Sequence, residues 1–518
     1  LKKLFQIFLA SIILCFSIGA LHAQQYYNVL NYGAKRDSSK LCTQAIKSAI
    51  DAASKAGGGT IYFPAGKYLT GPIHLKSNIT IFIDAGAELH FSDDFDNYLP
   101  MVESRWEGTD VQNFSPLFYA YKAENITIRG RGIIDGHGKK WWDFHHKLYD
   151  KTTPRSKWQD TFAANNKNVI MPEVSDMIQR GFLRPPFIQP MYCKNVLIEG
   201  ITIHNSPFWT VNPEFCENVT VTGVTIENPI SPNTDGINPE SCRYVHISNC
   251  HISVGDDCIT IKSGKDSAGR KMNVPAENYT ITNCTMLSGH GGVVIGSEMS
   301  GSVKKIAISN CIFDGTDRGI RIKTARGRGG VVEDIRVDNI IMKNIRQQAI
   351  VFDMQYTKTA PQPVTEKTPI FRNCHFSNIT ADGNEAILID GIEEMPVENV
   401  TFHDVRMNMQ TGVTIRNAKN IEFHQVAITA KKSVSFSVEN TAGIELDGVK
   451  SLQPTAGKSL VAMKSVTDAF VHGCNPVKGT DVFLQINNVE PAEIVIKDNN
   501  FKNVKTILSG DTKNIKAD

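Results

Sequence analysis

The feature that most constrains this chain is a repeat whose period drifts. A short alternating unit recurs: a polar residue, then V/I-x-I/V-x-G/N, then a second apolar-alternating stretch. Copies begin at Asn125 (Asn-Ile-Thr-Ile-Arg-Gly), Asn195, Asn218 and Tyr244, and again at Asn278, Lys305, Asp334, Asn399 and Asn420. From Asn195 to Asp334 consecutive copies start 23, 26, 34, 27 and 29 residues apart. Strict alternation means strands with one buried face. Recurrence at this length means one supersecondary unit per repeat. The long 3.6-residue periodicities of helical repeats are missing. The pattern predicts an all-β solenoid, a parallel β-helix with two or three short strands per coil. Variable loops absorb the drift, and Gly and Asn at strand ends supply left-handed turns.

An open solenoid end exposes core and unpaired edges, so it needs a cap. Ala45, Ile46, Ala49, Ile50 and Ala53 form an apolar stripe that stops at Gly57-Gly58-Gly59. This predicts a short capping helix. Residues 24–110 read as that cap with the first coils, and 111–518 as the β-helix. A polar stretch, 150–185, carries Trp158 and few strand signals, and reads as a long loop insert. The repeat fades after residue 450, but Ile494 to Ile496 and Phe501 still alternate, so coils are expected almost to the C-terminus. At the other end, Lys2 and Lys3 precede an apolar run from Leu4 to Ala20, with Ala23 before Gln24. Residues 1–23 therefore read as a signal peptide, and the protein as exported, periplasmic or secreted. No later segment is apolar enough to span a bilayer.

A formal net charge of +2 argues against a nucleic-acid binder driven by bulk charge. An anionic ligand must instead meet a local cluster of cations. Four of the eleven cysteines, Cys250, Cys284, Cys311 and Cys374, follow an Asn in the same local pattern. They read as buried ladder residues at an equivalent place in successive repeats, in preference to the disulfides that export would permit. No short Cys or His spacing typical of zinc is present.

Four polar clusters fall at about coil spacing. Asn233-Thr234-Asp235-Gly236 alone is an ordinary turn. Gly255-Asp256-Asp257 sets two carboxylates among Ile252, Val254, Ile259 and Ile261, where like charges resist joint ionisation. Asp235 precedes Asp256 by 21 residues and Asp257 by 22, so the three should meet across one rung. Inverting glycosidases place acid and base about 6.5–9.5 Å apart, with pKa values pushed apart. Gly289-His290-Gly291 follows one coil later, its imidazole unscreened and able to adjust an aspartate or bind a hydroxyl. In Arg321-Ile322-Lys323, alternation puts both cations on one face as a carboxylate receptor. Acid–base machinery beside a carboxylate receptor fits a sugar-acid polymer.

On these four pieces the sequence resembles the polygalacturonases, glycoside hydrolase family 28. The resemblance covers most of the chain and fades after residue 450. It implies a right-handed parallel β-helix and inverting hydrolysis of α-1,4-galacturonosidic bonds in pectin or polygalacturonate, without metal or other cofactor. Carried over, Asp256 is the general acid, Asp235 and Asp257 activate the water, His290 assists Asp256, and Arg321 and Lys323 hold the galacturonate carboxylate. Tyr356 matches the family's substrate-contacting tyrosine. Gly255 stands where fungal endo-acting members usually have Gln. Together with Arg105-Trp106-Glu107-Gly108 and Ser288 to Ser300, this resembles the bacterial exo-type branch. An insert such as 150–185 could wall off one end of the groove. The implied partner is a pectic polysaccharide or oligogalacturonide, bound by a monomer. Competing readings are a rhamnogalacturonan or xylogalacturonan hydrolase of the same family, a calcium-dependent pectate lyase, and a non-catalytic pectin-binding solenoid.

Overall fold

The computed structural model describes residues 26–148, 152–169, 184–454 and 456–513, with 515 and 517. The expected signal peptide, 1–23, lies outside them. The chain is a right-handed parallel β-helix. Its rungs form in-register columns: Val196, Val219, Val245, Tyr279, Ile306, Ile335, Cys374 and Val400 pair successively down one sheet. All are buried. Inward residues therefore meet their own kind in the next coil, and burying each such aliphatic side chain is worth about 1.5–3 kcal/mol. Phe376, Phe402 and Phe423 continue this as a face-on stack with centroids 5.1 and 4.8 Å apart.

The corners explain the polar residue that opens each repeat. Asn125, Asn195, Asn218, Asn278, Asn399 and Asn420 all have φ between 53° and 62°, the left-handed region that Asn tolerates best among residues with a side chain. Tyr244 (57°) and Lys305 (59°) adopt it too, because the rung above and below fixes the turn. Asn amides bridge coils along this edge: Asn125 donates to Asn78, Asn195 to Asn125 and Asn218 to Asn195, at 2.7, 2.8 and 2.8 Å.

The helix Thr43–Lys55 caps the N-terminal end, burying Ile46, Ala49, Ile50 and Ala53. Coils run on to the strand Val504–Gly510, which pairs with Thr480–Asn487. Two sequence readings need correction. The stretch 150–185 contains a helix, Lys157–Asn165, started by a reciprocal Ser156/Gln159 capping box, a signal the polar composition concealed. Its Trp158 packs on Phe95 (5.1 Å) and donates to Asp96 (2.7 Å). Second, Cys250, Cys284 and Cys311 follow the left-handed residues Asn249, Asn283 and Asn310 at one corner, whereas Cys374 follows Asn373 at another and pairs with Ile335. The ten described cysteines are free and buried. Among the described residues no helix is long and apolar enough to cross a membrane.

Candidate active site

One face carries the site. The strand Asp257–Ile261 pairs with Gly291–Ile295, which pairs with Ile320–Lys323. On the preceding coil Ile237 bridges to Ile259, and Gly236 N–H donates to the Asp257 carbonyl (3.0 Å). Asp235 and Asp257 thus occupy neighbouring rungs, as their spacing predicts. Asp256 sits at the corner just before the strand. The closest carboxylate oxygens of Asp235, Asp256 and Asp257 lie within 4.8 Å of one another.

The three carboxylates differ in surroundings. Asp235 is buried; Asn238 Nδ2 (2.9 Å) and Thr260 Oγ1 (3.3 Å) donate to its Oδ2. Burial, then the nearby Asp256 charge, raise its pKa well above the carboxylate range. Asp257 is also buried, and burial is the largest single influence on it. The combined pull of Lys323 and Arg321 nevertheless brings its carboxyl below the usual value. Lys323 Nζ donates to its Oδ2 at 2.9 Å, and Arg321 Nη1 lies 3.8 Å from its Oδ1. Asp256 is the most open of the three, with a side chain 20% exposed. Its Oδ1 accepts from the Asp257 N–H (2.9 Å) and lies 3.1 Å from His290 Nδ1. That contact, outweighing burial, raises the pKa of His290. The Oδ1 atoms of Asp235 and Asp257 have no hydrogen-bond partner among the described residues.

Glycines clear the space. A Cβ on Gly291 would lie 3.3 Å from Asp257 Oδ1 and 2.4 Å from Val294. Gly289, at φ 143°, passes so close to the Asp256 carbonyl that a Cβ would sit 2.4 Å from it. All seven residues singled out from sequence line one cavity of about 490 Å³. Tyr356 lies with its ring 5.5 Å from the Arg321 guanidinium and 5.4 Å from Lys323 Nζ.

The same cavity holds residues that the sequence reading missed. Lys262, buried and above the Trp209 ring (4.6 Å), pairs with Glu298 (2.8 Å). Strand alternation from Thr260 could have pointed to it. Arg318, beside Gly319, donates from Nε to Gln348 Oε1 (3.1 Å) and makes no ion pair among the described residues. Glu107 enters from a hairpin of Val102–Trp106 with Thr109–Asn113. Arg105 pins that hairpin: wholly buried, it meets Glu214 (3.0 Å), Glu240 (2.7 Å) and Asp110 (2.6 Å). Among the described residues none of 152–169 lines the cavity, while the hairpin contributes Glu107 and loops between strands contribute Lys265, Glu298, Arg328 and Tyr356.

Carboxylates pressed together with unequal proton affinities, open to a polar groove, define an acid–base glycoside hydrolase. The family profile described as glycosyl hydrolases family 28 matches residues 171–428. A profile described as rhamnogalacturonase A/epimerase, pectate lyase-like, matches residues 26–147. A probable polygalacturonase of Vitis vinifera is 32% identical over 394 residues, 73% of this chain and 74% of its own length. An endo-polygalacturonase of Pectobacterium carotovorum is 30% identical, over 74% of this chain and 88% of its own. The crystal structure of a hyperthermoactive exopolygalacturonase from Thermotoga maritima superposes with a TM-score of 0.70 at 34% identity, over 78% of this chain and 91% of that one. The chain belongs to glycosyl hydrolase family 28.

Proposed function

We propose that the protein hydrolyses α-1,4-galacturonosidic bonds of polygalacturonate, releasing product from chain ends with inversion. The observation that carries the reading is the pair of unpartnered oxygens, Asp235 Oδ1 and Asp257 Oδ1, on adjacent rungs beside the more open Asp256. A water donating to both is set to attack the anomeric carbon. Asp256 gives its proton to the glycosidic oxygen as the carbon–oxygen bond breaks. The attacking water forms the new bond and yields a proton to the Asp235/Asp257 pair. Asp257, kept ionised by Lys323 and Arg321, orients the water, while the higher proton affinity of Asp235 makes it the better acceptor. The productive form has the carboxyl proton on Asp256 and an ionised Asp235. In its neutral form His290 can favour that state, its Nδ1 accepting from the Asp256 carboxyl at 3.1 Å. Arg321, Lys323 and Tyr356 offer a uronate carboxylate two cations and an aromatic face.

Exo action is supported by the Thermotoga maritima similarity and by the pinned hairpin that sets Glu107 at the edge of the cavity. We also propose export, on the basic and apolar start of the chain. The test is digestion of polygalacturonate followed by proton NMR of the first anomer and by product sizing. Early monogalacturonate as the inverted β-anomer is expected. The α-anomer would establish retention, mixed mid-length oligomers would establish endo action, and an unsaturated, ultraviolet-absorbing product would replace hydrolysis with elimination.

A further inference from the structure

A second cluster lies on the outer face of the early coils, away from the aspartates. In the strand Ala87–Phe91, Glu88 and His90 point outward between buried Ala87, Leu89 and Phe91. One coil on, Asp135 is the direct rung partner of His90. The chain then turns at His137, whose φ of 46° is left-handed. The imidazole of His137 ends over that of His90: Nε2 of the one is 3.3 Å from Nδ1 of the other. His137 Nε2 is 3.8 Å from Asp135 Oδ1. The three groups bring their ligand atoms within 4.8 Å of one another, and all are half-buried.

We propose that His90 Nδ1, His137 Nε2 and Asp135 form a zinc site that fastens neighbouring coils. Zn–N bonds of about 2.0–2.1 Å in tetrahedral geometry set nitrogen–nitrogen edges of about 3.3–3.4 Å, matching the imidazole pair. Each ligand is held from outside. Glu88 Oε2 lies 3.0 Å from His90 Nε2; accepting the Nε2 proton leaves Nδ1 with its lone pair toward His137. This is the outer carboxylate that metal-bound histidines ordinarily carry. Asp135 Oδ1 accepts from the His137 backbone N–H (2.8 Å), and Asn205 Nδ2 donates to both Asp135 oxygens (3.1 Å each). Two imidazoles and one carboxylate suit a borderline ion such as Zn²⁺ rather than calcium or magnesium. The fourth position faces solvent. His90 and His137 are 47 residues apart, so no short-range motif announces the site; coil stacking creates it.

The test uses the full chain, stripped with chelator and titrated calorimetrically with Zn²⁺ alone, and in parallel with Co²⁺ while visible absorption is recorded. The wild type should take up a zinc equivalent that His90→Gln and His137→Gln lack, and show visible cobalt bands that both variants lose. Zinc should raise the melting midpoint of the wild type only. Glu88→Gln keeps all three ligands and should bind roughly 10–100-fold more weakly. Undiminished hydrolysis by the histidine variants shows that they fold. Absence of zinc uptake by the stripped wild type, or equal uptake by wild type and both histidine variants, overturns the proposal.

Discussion

Replacing Lys323 with Met tests how the site keeps a charge buried. Lys323 Nζ is 2.9 Å from Asp257 Oδ2, with side chains only 8% and 2% exposed. The remaining cation, Arg321, stands at 3.8 Å, beyond hydrogen-bond reach. Met fills similar volume, so the change removes charge more than packing. Stripping one partner from a buried pair costs about 3–5 kcal/mol, which is roughly 10²- to 10⁴-fold in a local opening equilibrium. Hydrogen exchange at the Asp257–Ile261 and Ile320–Lys323 amides reads this better than global melting, because solenoid coils open in part. The pH dependence has a definite sign. In the wild type the folded pKa of Asp257 lies below its unfolded value, so its stabilisation is present above about pH 3.9 and lost as pH falls through the folded pKa. In the variant, burial dominates and the folded pKa rises, so the penalty disappears in acid. The difference between the two proteins should be full above the variant's raised folded pKa, shrink as pH falls through it, and vanish only below the depressed folded pKa of the wild type. The double variant Asp257→Asn/Lys323→Met should recover most of the loss. A deficit unchanged from neutral pH to pH ~3, or a double variant no better than the single, would refute the reasoning.

Asp256→Asn keeps the shape but cannot protonate the leaving oxygen, so kcat should fall about 10²–10⁴-fold with little change in KM, measured on polygalacturonate. His290 has a raised pKa, and its protonated form is lost as pH rises through it. That charged form favours an ionised Asp256, so His290→Gln should cost least in mild acid, and the wild-type advantage should widen as pH rises and neutral Nδ1 accepts from the Asp256 carboxyl, as read from paired pH–rate profiles. Arg105→Lys keeps the charge but loses the fork that joins Glu214 and Glu240. It should cost about 1.5–3 kcal/mol, seen as faster exchange confined to the Val102–Asn113 hairpin.

What the sequence made legible follows from the solenoid's regularity. A residue one period on is one rung away, so spacing alone could bring Asp235, Asp256 and Asp257 together. Alternation alone could turn Arg321 and Lys323 outward while Ile322 went to the core. Features that do not obey the repeat stayed hidden. Arg105 meets Glu214 and Glu240 more than a hundred residues away, through a hairpin outside the coils. The helix Lys157–Asn165 belongs to a stretch with no rung to index it. Cys374 shows the opposite error. Its Asn-Cys pair matches the other three in sequence, yet each coil has several left-handed corners, and a dipeptide cannot say which one it occupies.

Arg318 joins these threads, because its role follows from charge rather than from motif. Leaving out His290, the cavity is lined by six acidic and six basic side chains, Glu107, Asp235, Asp256, Asp257, Glu298 and Asp317 against Lys262, Lys265, Arg318, Arg321, Lys323 and Arg328. Net charge therefore gives a polyanion little reason to enter. Most of the cations are already engaged: Lys262 with Glu298, Lys265 with Glu107, Arg328 with Asp266, and Arg321 and Lys323 with Asp257. Arg318 makes no ion pair among the described residues, and burial, then repulsion from Arg321, push its pKa down. A guanidinium held half-buried beside a second one is unfavourable until an anion arrives, and a uronate carboxylate supplies that anion. Arg318→Gln removes the unmatched charge while keeping a donor. It should raise KM for polygalacturonate about 10-fold or more, the worth of one charge-assisted hydrogen bond, while kcat changes much less because Arg318 does not reach the three aspartates. It should also weaken the rise of KM with salt. A variant with unchanged KM and reduced kcat would move Arg318 from substrate binding into the proton chemistry, and one with both unchanged would leave the carboxylate to Arg321 and Lys323 alone.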